Sequence, residues 1–284
     1  MMRRKIIGMV VVILILSGQT AFAKDKATLA TLEYLFLCDA NGDGVYMELI
    51  RSAYEAVDVE LALVVLPIRR GISNFIENKY DMFFSYSLLN EDEIEKAAWK
   101  ETMGVIVGFF YTNRKFDDFH LNTLDDFKGY KMGTIMNSSL LSLLQKHELD
   151  VYQVRSLDQQ LHMLKAGRFD FMNAAVSSAL LQIKSLFPDN TGDFAFIEFK
   201  NLFLGPCFLK GNAKSMVLKD KFETGLDIIK KNGKYMEIME SYWGKGNVPK
   251  GTLPEDIKKY GVDKPNLTLF HSYNRKAYGK IIEE

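Results

Sequence analysis

Asn78-Lys79-Tyr80-Asp81-Met82-Phe83-Phe84 and Gly167-Arg168-Phe169-Asp170-Phe171-Met172-Asn173 are two versions of one short pattern. Each follows an apolar helical periodicity and continues as a tight turn with a basic residue, an aromatic, an aspartate and a short buried strand. The two aspartates stand 89 positions apart. A repeat at that distance predicts two similar α/β lobes rather than a solenoid, whose period is shorter. Two such lobes facing each other form a cleft, the usual place for a small ligand.

Working outward, residues 31–37 read as a first strand and 39–44 as a polar turn. Residues 47–56 form a helix with Leu49, Ile50, Ala53 and Tyr54 on one side. Residues 59–66 are a valine-rich strand, as in a sheet covered on both faces, and Pro67 ends it. A short helix over 70–77 and a strand over 81–85 follow. Strand–helix–strand alternation predicts parallel pairing through right-handed crossovers. Residues 105–111 are a strongly apolar strand and 113–122 a polar crossing segment. A second series has strands over 131–135, 151–155, 169–173 and 194–199, with helices over 138–146 and 158–166. Residues 202–209 cross back. Helices follow over 217–230, with Leu218, Phe222, Gly225, Leu226 and Ile229 on one side, and over 234–243. Past Pro249 the periodicity fades into an irregular tail, residues 250–284.

Residues 1–23 have the form of a cleaved secretory signal: Arg3, Arg4 and Lys5, an apolar run over 6–16, then Ala21-Phe22-Ala23. The run is short of the roughly 20 residues that span a membrane, so no stable membrane insertion is expected after cleavage. The chain has 36 basic and 36 acidic residues, and losing the signal leaves a net charge of −3. That balance lacks the basic footprint of a nucleic-acid binder. A hydrophobic fraction of 48% suits a globular core. Cys38 and Cys207 can pair only if their α-carbons approach within about 7 Å, which leaves a disulfide or two buried thiols open.

Several segments, in order, resemble the bacterial extracellular solute-binding proteins of family 3, the amino-acid-binding type of two-lobed periplasmic receptor. They are Gly44-Val45-Tyr46-Met47-Glu48-Leu49, the Pro67-Ile68-Arg69-Arg70-Gly71 corner, residues 78–87, and residues 123–129 leading into the second lobe. The loop over 133–139, the turn over 164–170 and Lys231-Asn232-Gly233-Lys234-Tyr235 complete the set. The resemblance covers residues 27–247. It implies an α/β type II periplasmic-binding-protein fold, each lobe a mostly parallel sheet flanked by helices, hinged by two crossing strands. Lobe 1 would be residues 24–112 plus 205–249, lobe 2 residues 113–204, and 250–284 a C-terminal extension. Ligand closes such a cleft.

The ligand-facing candidates sit where strands end. Ser85, Tyr86 and Ser87 follow the first repeated strand and offer hydroxyls and a ring, or ordinary strand-end hydrogen bonds. Asn137, Ser138 and Ser139 precede a leucine-rich helix whose N-terminus suits an anion, and Ser138 also suits a helix cap. Arg70 brings a fork for a carboxylate, or a solvated helix start. Asn173 ends the second repeated strand. Two positions depart from the family pattern. The arginine that grips an α-carboxylate is replaced by Glu93, and the acid that grips an α-ammonium by Ala175. Recognition then falls to Arg70, Asn173 and the Ser138 loop.

Asp39-Ala40-Asn41-Gly42-Asp43-Gly44 copies half of a calcium loop, but Ile50 stands where the bidentate glutamate belongs, so a polar turn is expected and no metal. His120, His147, His162 and His271 lack metal spacing, and no serine-nucleophile elbow occurs. These residues point to no cofactor and no catalytic site. The expected protein is a monomeric periplasmic receptor for a small polar solute, amino-acid-like or an organic anion, serving an inner-membrane ABC permease. An orphan module for a sensor or chemoreceptor is the alternative. A periplasmic enzyme on the same scaffold ranks below both, with Glu93 its only nominee.

Overall fold

A computed structural model describes residues 25–112, 116–136, 138, 140–249 and 251–254. The signal segment, Asn137, Ser139 and most of the C-terminal tail lie outside the described residues. In chain order the first half contains β1 (Asp25–Thr31), α1 (Val45–Glu55), β2 (Val59–Val65), α2 (Ile68–Ile76), β3 (Met82–Phe83), α3 (Glu91–Glu95) and β4 (Ala97–Trp99). Then come β5 (Met103–Tyr111), β6 (Lys131–Ile135), α4 (Leu141–Lys146), β7 (Asp150–Val154), α5 (Leu157–Lys165), β8 (Phe171–Ala175) and α6 (Val176–Leu186). The chain continues through β9 (Ala195–Leu204), β10 (Cys207–Leu209), α7 (Ala213–Lys231) and α8 (Lys234–Trp243).

Two five-stranded sheets result, in the orders β2-β1-β3-β10-β4 and β7-β6-β8-β5-β9. The first strand of each half pairs in parallel with the two strands that follow its crossovers, β1 with β2 and β3, β6 with β7 and β8. The repeated sequence explains this symmetry. Residues 78 and 167 each follow a helix C-cap, and the next residue closes the same six-residue loop: Lys79 N–H donates to Asn74 O at 2.8 Å and Arg168 N–H to Met163 O at 2.9 Å. Each aspartate then ties the incoming strand to its neighbour. Asp81 Oδ2 accepts from Thr28 N and Oγ1, both at 2.8 Å, and Asp170 Oδ2 accepts from Lys131 N at 3.0 Å.

The chain leaves the first sheet after β4 and returns at β10. β5 and β9, which make these crossings, pair antiparallel from Met103↔Leu204 to Tyr111↔Ala195. Gly205 sits at the return point, where a Cβ would lie 2.3 Å from Lys100 O, so only glycine permits the approach. A boundary after residue 112 would put β5 with the first half, yet all its ladder bonds belong to the second sheet. Residues past α8 fold back over these strands: Thr252 O accepts from Gly104 N at 2.8 Å, and Gly251 lies against the Asn201 side chain of β9.

Packing sides follow the strand period. Phe110 of β5 faces the larger core, while Phe109 faces a separate aromatic cluster with Phe127, Phe171 and Phe199. Burying each such ring stabilises the fold by about 2 kcal/mol.

Three expectations are corrected. The first strand is β1, not 31–37. The apolar residues 32–38 instead wrap over the sheet end, where Phe36 takes φ 74° and packs edge-on to Trp243 at 4.7 Å. The valine-rich β2 is an edge strand, only partly covered. α6 is an additional helix, on which Val176, Ala179, Leu180 and Ile183 have helical spacing and are buried.

Candidate functional site

The carboxyl ends of both sheets converge on a cleft of about 830 Å³. Leu32, Glu33, Tyr34 and Leu35 reach it from beyond β1, and Val65, Leu66, Pro67 and Ile68 from beyond β2. The opposite wall is Ile135, Met136 and Ser138 beyond β6, Arg155 beyond β7, and Asn173 to Ala175 at the end of β8. Val107 and Leu202 of the crossing strands also line it. A direct bond joins the walls: Ser178 Oγ in the first turn of α6 donates to Leu35 O at 2.5 Å.

Asn173 is 6% exposed. Its Nδ2 donates to Ser138 Oγ at 3.4 Å, and its Oδ1 has no partner among the described residues. Ser138 Oγ also accepts from Leu140 N at 3.3 Å, so its own hydroxyl proton is left to donate. Gln160, fully buried beneath, fixes this floor: its Nε2 donates to Gly133 O at 3.0 Å and Asn173 O at 3.1 Å. Thr134 Oγ1 and Gln160 Oε1 are likewise without partners among the described residues. Buried polar atoms left unpaired are costly, which makes this floor the chemically unfinished part of the molecule. Burial raises the phenol of Tyr34 to about 12, so it serves as a neutral hydroxyl.

Of the candidates, Ser138 and Asn173 meet in the cleft. Arg70 does not line it; α2 buries Gly71, Ile72 and Phe75 and leaves both arginines of that corner toward solvent. Arg69 lies 3.9 Å from Glu93. Ser85 turns its hydroxyl inward to Ser87, at 3.3 Å to N and 2.9 Å to Oγ. The Tyr86 ring stacks on Trp99 at 4.8 Å, and burial, with Glu101 nearby, holds its phenol above the ordinary range. Leu88, from the same turn, is the residue that reaches the cleft. Asn137 and Ser139 lie outside the described residues.

Glu93 serves its own helix. With Asn90 it makes a reciprocal cap on α3, Glu93 Oε2 accepting from Asn90 N at 2.8 Å and Asn90 Oδ1 from Glu93 N at 2.9 Å. Ala175 lies in the cleft wall as the N-cap of α6 and offers no side-chain oxygen. In the calcium-like turn Asp39 Oδ1 accepts from Asn41 N and Asp43 N, and Arg51 occupies the cationic role, bonding Gly42 O at 2.8 Å. Among the described residues no cluster of His, Cys, Asp and Glu could hold a metal. Both thiols are buried and free, Cys38 receiving the Thr31 hydroxyl at 3.3 Å.

Sequence reasoning missed Arg155, Asp158 and Gln182 on the second wall. Asp158 Oδ1 accepts from Gln182 Nε2 at 2.6 Å, while the Arg155 guanidinium has no partner among the described residues. The available signal was position: Arg155 follows β7 directly and stands beside the end of β6, since Ile135 pairs with Val154.

Two α/β sheets joined by paired crossing strands, with a cleft at their carboxyl ends, define the type II periplasmic-binding-protein fold, and this chain has it. Among solved structures it is similar to the GluR0 ligand-binding core from Nostoc punctiforme in complex with L-glutamate, at 16% identity and a TM-score of 0.63, over 77% of this chain and 99% of that one. It is similar to a histidine kinase sensor domain with similarity to periplasmic binding proteins, at 18% identity and TM-score 0.64, over 78% and 97%. An ancestral arginine-binding protein bound to glutamine matches at 20% identity and TM-score 0.60, over 78% and 100%. No family model matches the sequence, and no curated protein sequence does. Among the described residues no helix is long and apolar enough to cross a membrane.

Proposed function

We propose that the protein is an exported receptor that captures a small solute between its lobes and delivers it to an inner-membrane ABC permease. The observation that carries this is the cleft itself: about 830 Å³ at the carboxyl ends of both sheets, floored by the unsatisfied Asn173–Ser138 pair and spanned by a hinge of two strands. The two lobes in this proposal are residues 24–112 with 205–249 and residues 113–204, with the crossing strands β5 and β9 as the hinge between them. Residues 1–23 direct export and are removed, leaving a soluble periplasmic monomer. Ser138 and Asn173, flanked by Asn137 and Ser139, hold the ligand. Arg70, Ser85, Tyr86 and Ser87 stand outside the cleft lining.

The cleft binds rather than transforms its ligand: among the described residues its charged side chains are Glu33, Arg155 and Asp158, and Asp158 is taken by Gln182. A second proposal, a sensor input module, is favoured by the similarity to a histidine kinase sensor domain.

A thermal-shift screen of the mature chain against amino acids, hydroxy acids and other organic acids tests the proposal. A ligand at a hundredfold excess over its Kd stabilises the native state by about 2.7 kcal/mol. Ser138→Ala and Asn173→Ala should suppress the shift. A shift that survives both moves the site elsewhere. In cells, loss of the protein abolishes uptake of that ligand if it serves a permease. If it serves a sensor, uptake persists and the response disappears.

A further inference from the structure

The charges of the cleft sit at its mouth. Glu33, Arg155 and Asp158 are all exposed, while the interior is aliphatic, with Leu32, Leu66, Leu88, Val107, Leu140 and Leu202 among its walls. Within that interior the buried Asn173 Oδ1 calls for a hydrogen-bond donor. A ligand ammonium there would find no buried carboxylate, and an uncompensated charge in such a setting is costly. A neutral hydroxyl meets the same need without that cost.

The second wall is rich in donors. Among the described residues the Arg155 guanidinium has no partner beside the end of β6, and the Ser138 hydroxyl proton has no acceptor. α6, an 11-residue helix, starts in this wall with Ala175 as its N-cap, and no N-cap side chain accepts from its first-turn N–H groups. Donors and positive potential gathered around an uncompensated buried amide suit a carboxylate.

We propose that the ligand is an α-hydroxy acid with an apolar body, not an α-amino acid. Its carboxylate lies between Arg155, Ser138 and the start of α6, its hydroxyl donates to Asn173 Oδ1, and its alkyl or aryl body fills the aliphatic walls. This deepens the receptor proposal and depends on it.

Calorimetric titration of the full mature chain with phenyllactate, L-phenylalanine and phenethylamine tests the inference, because the first two differ only in hydroxyl against ammonium. Phenyllactate is expected to bind at least about tenfold tighter than L-phenylalanine, and phenethylamine not at all. Asn173→Asp, of equal size, should reverse the order of the first two. Ala175→Asp, a good N-cap for α6, should raise L-phenylalanine affinity relative to phenyllactate while leaving the unliganded Tm intact or higher. Arg155→Gln, on an exposed side chain, should weaken phenyllactate at least about tenfold without lowering that Tm. Equal or tighter binding of L-phenylalanine by the unmodified protein overturns the inference and leaves the receptor proposal standing. Silence with all three probes and with a broad solute screen overturns both.

Discussion

Asn78 and Gly167 hold the same left-handed backbone, φ 63° and 66°, at matching points of the two lobes. The conformation lets each helix end in a loop that aims the following aspartate at the neighbouring strand. Sharing this geometry keeps β2-β1-β3 and β7-β6-β8 parallel, and so keeps both sets of strand ends pointed at one cleft.

Alanine disfavours that conformation, so Gly167→Ala should destabilise by about 1 kcal/mol, with no steric contribution because its Cβ would have open space. Asn78→Ala should cost somewhat more, since the Asn78 side chain also receives a bond from Asn212. Denaturant midpoints measure both. A neutral Gly167→Ala would contradict the backbone argument.

Ser178→Ala removes the hydrogen bond between the walls of the cleft. A loss of about 1 kcal/mol from the closed arrangement shifts the population toward open forms about fivefold. Small-angle scattering of the unliganded protein should show a larger radius of gyration, with the unfolding midpoint nearly unchanged. An unaltered scattering profile would show that other contacts hold the walls together.

Gly205→Ala places a methyl against the backbone of Lys100, and neither segment can yield by rotating a side chain. A loss of about 2 kcal/mol is expected. Gly211→Ala, with nothing near its added methyl, serves as the control and should stay within about 0.5 kcal/mol. Equal effects from the two would refute the close-approach explanation.

Alkali should undo the fold in a defined window. Burial raises Tyr34 from 10.0 to about 12, and burial also raises Tyr46, Tyr54, Cys38 and Cys207. Groups whose folded pKa is raised hold protons more tightly in the native state. Their contribution is therefore complete below the ordinary values, 9.0 for the thiols and 10.0 for the phenols, and is lost as pH climbs past them toward the folded values. Denaturant midpoints should fall from about pH 9 upward, with the phenolate absorbance of the buried Tyr34, Tyr46 and Tyr54 appearing only as structure is lost. Full phenolate absorbance at pH 11 in folded protein would disprove the burial argument.

Much of this architecture is legible in the chain. β6 and α8 follow the periodicity to the residue, and the repeated aspartates mark equivalent strands. The first strand is displaced because residues 32–38 are as apolar as a strand; Phe36 among them packs on Trp243 and Tyr242, more than two hundred residues away in sequence, which no local pattern encodes. The site is half visible. Ser138 and Asn173 flank strand ends, where ligand contacts are expected in such sheets. Arg70 attracts notice by its forked charge, but the apolar stripe of α2 rotates it toward solvent. Arg155 escapes notice because a single basic residue after a polar strand looks like any surface arginine. Only the pairing of Ile135 with Val154 brings it beside Met136, on the same cleft wall as Ser138.

The fold-back of residues 251 and 252 onto both crossing strands has a mechanical consequence. The fulcrum of the jaws is clamped by the same stretch of polypeptide that leads to the carboxyl terminus. Tension or docking applied downstream would act on the axle itself, stiffening or freeing it, and opening of the jaws would in turn tug on whatever grips that trailing end.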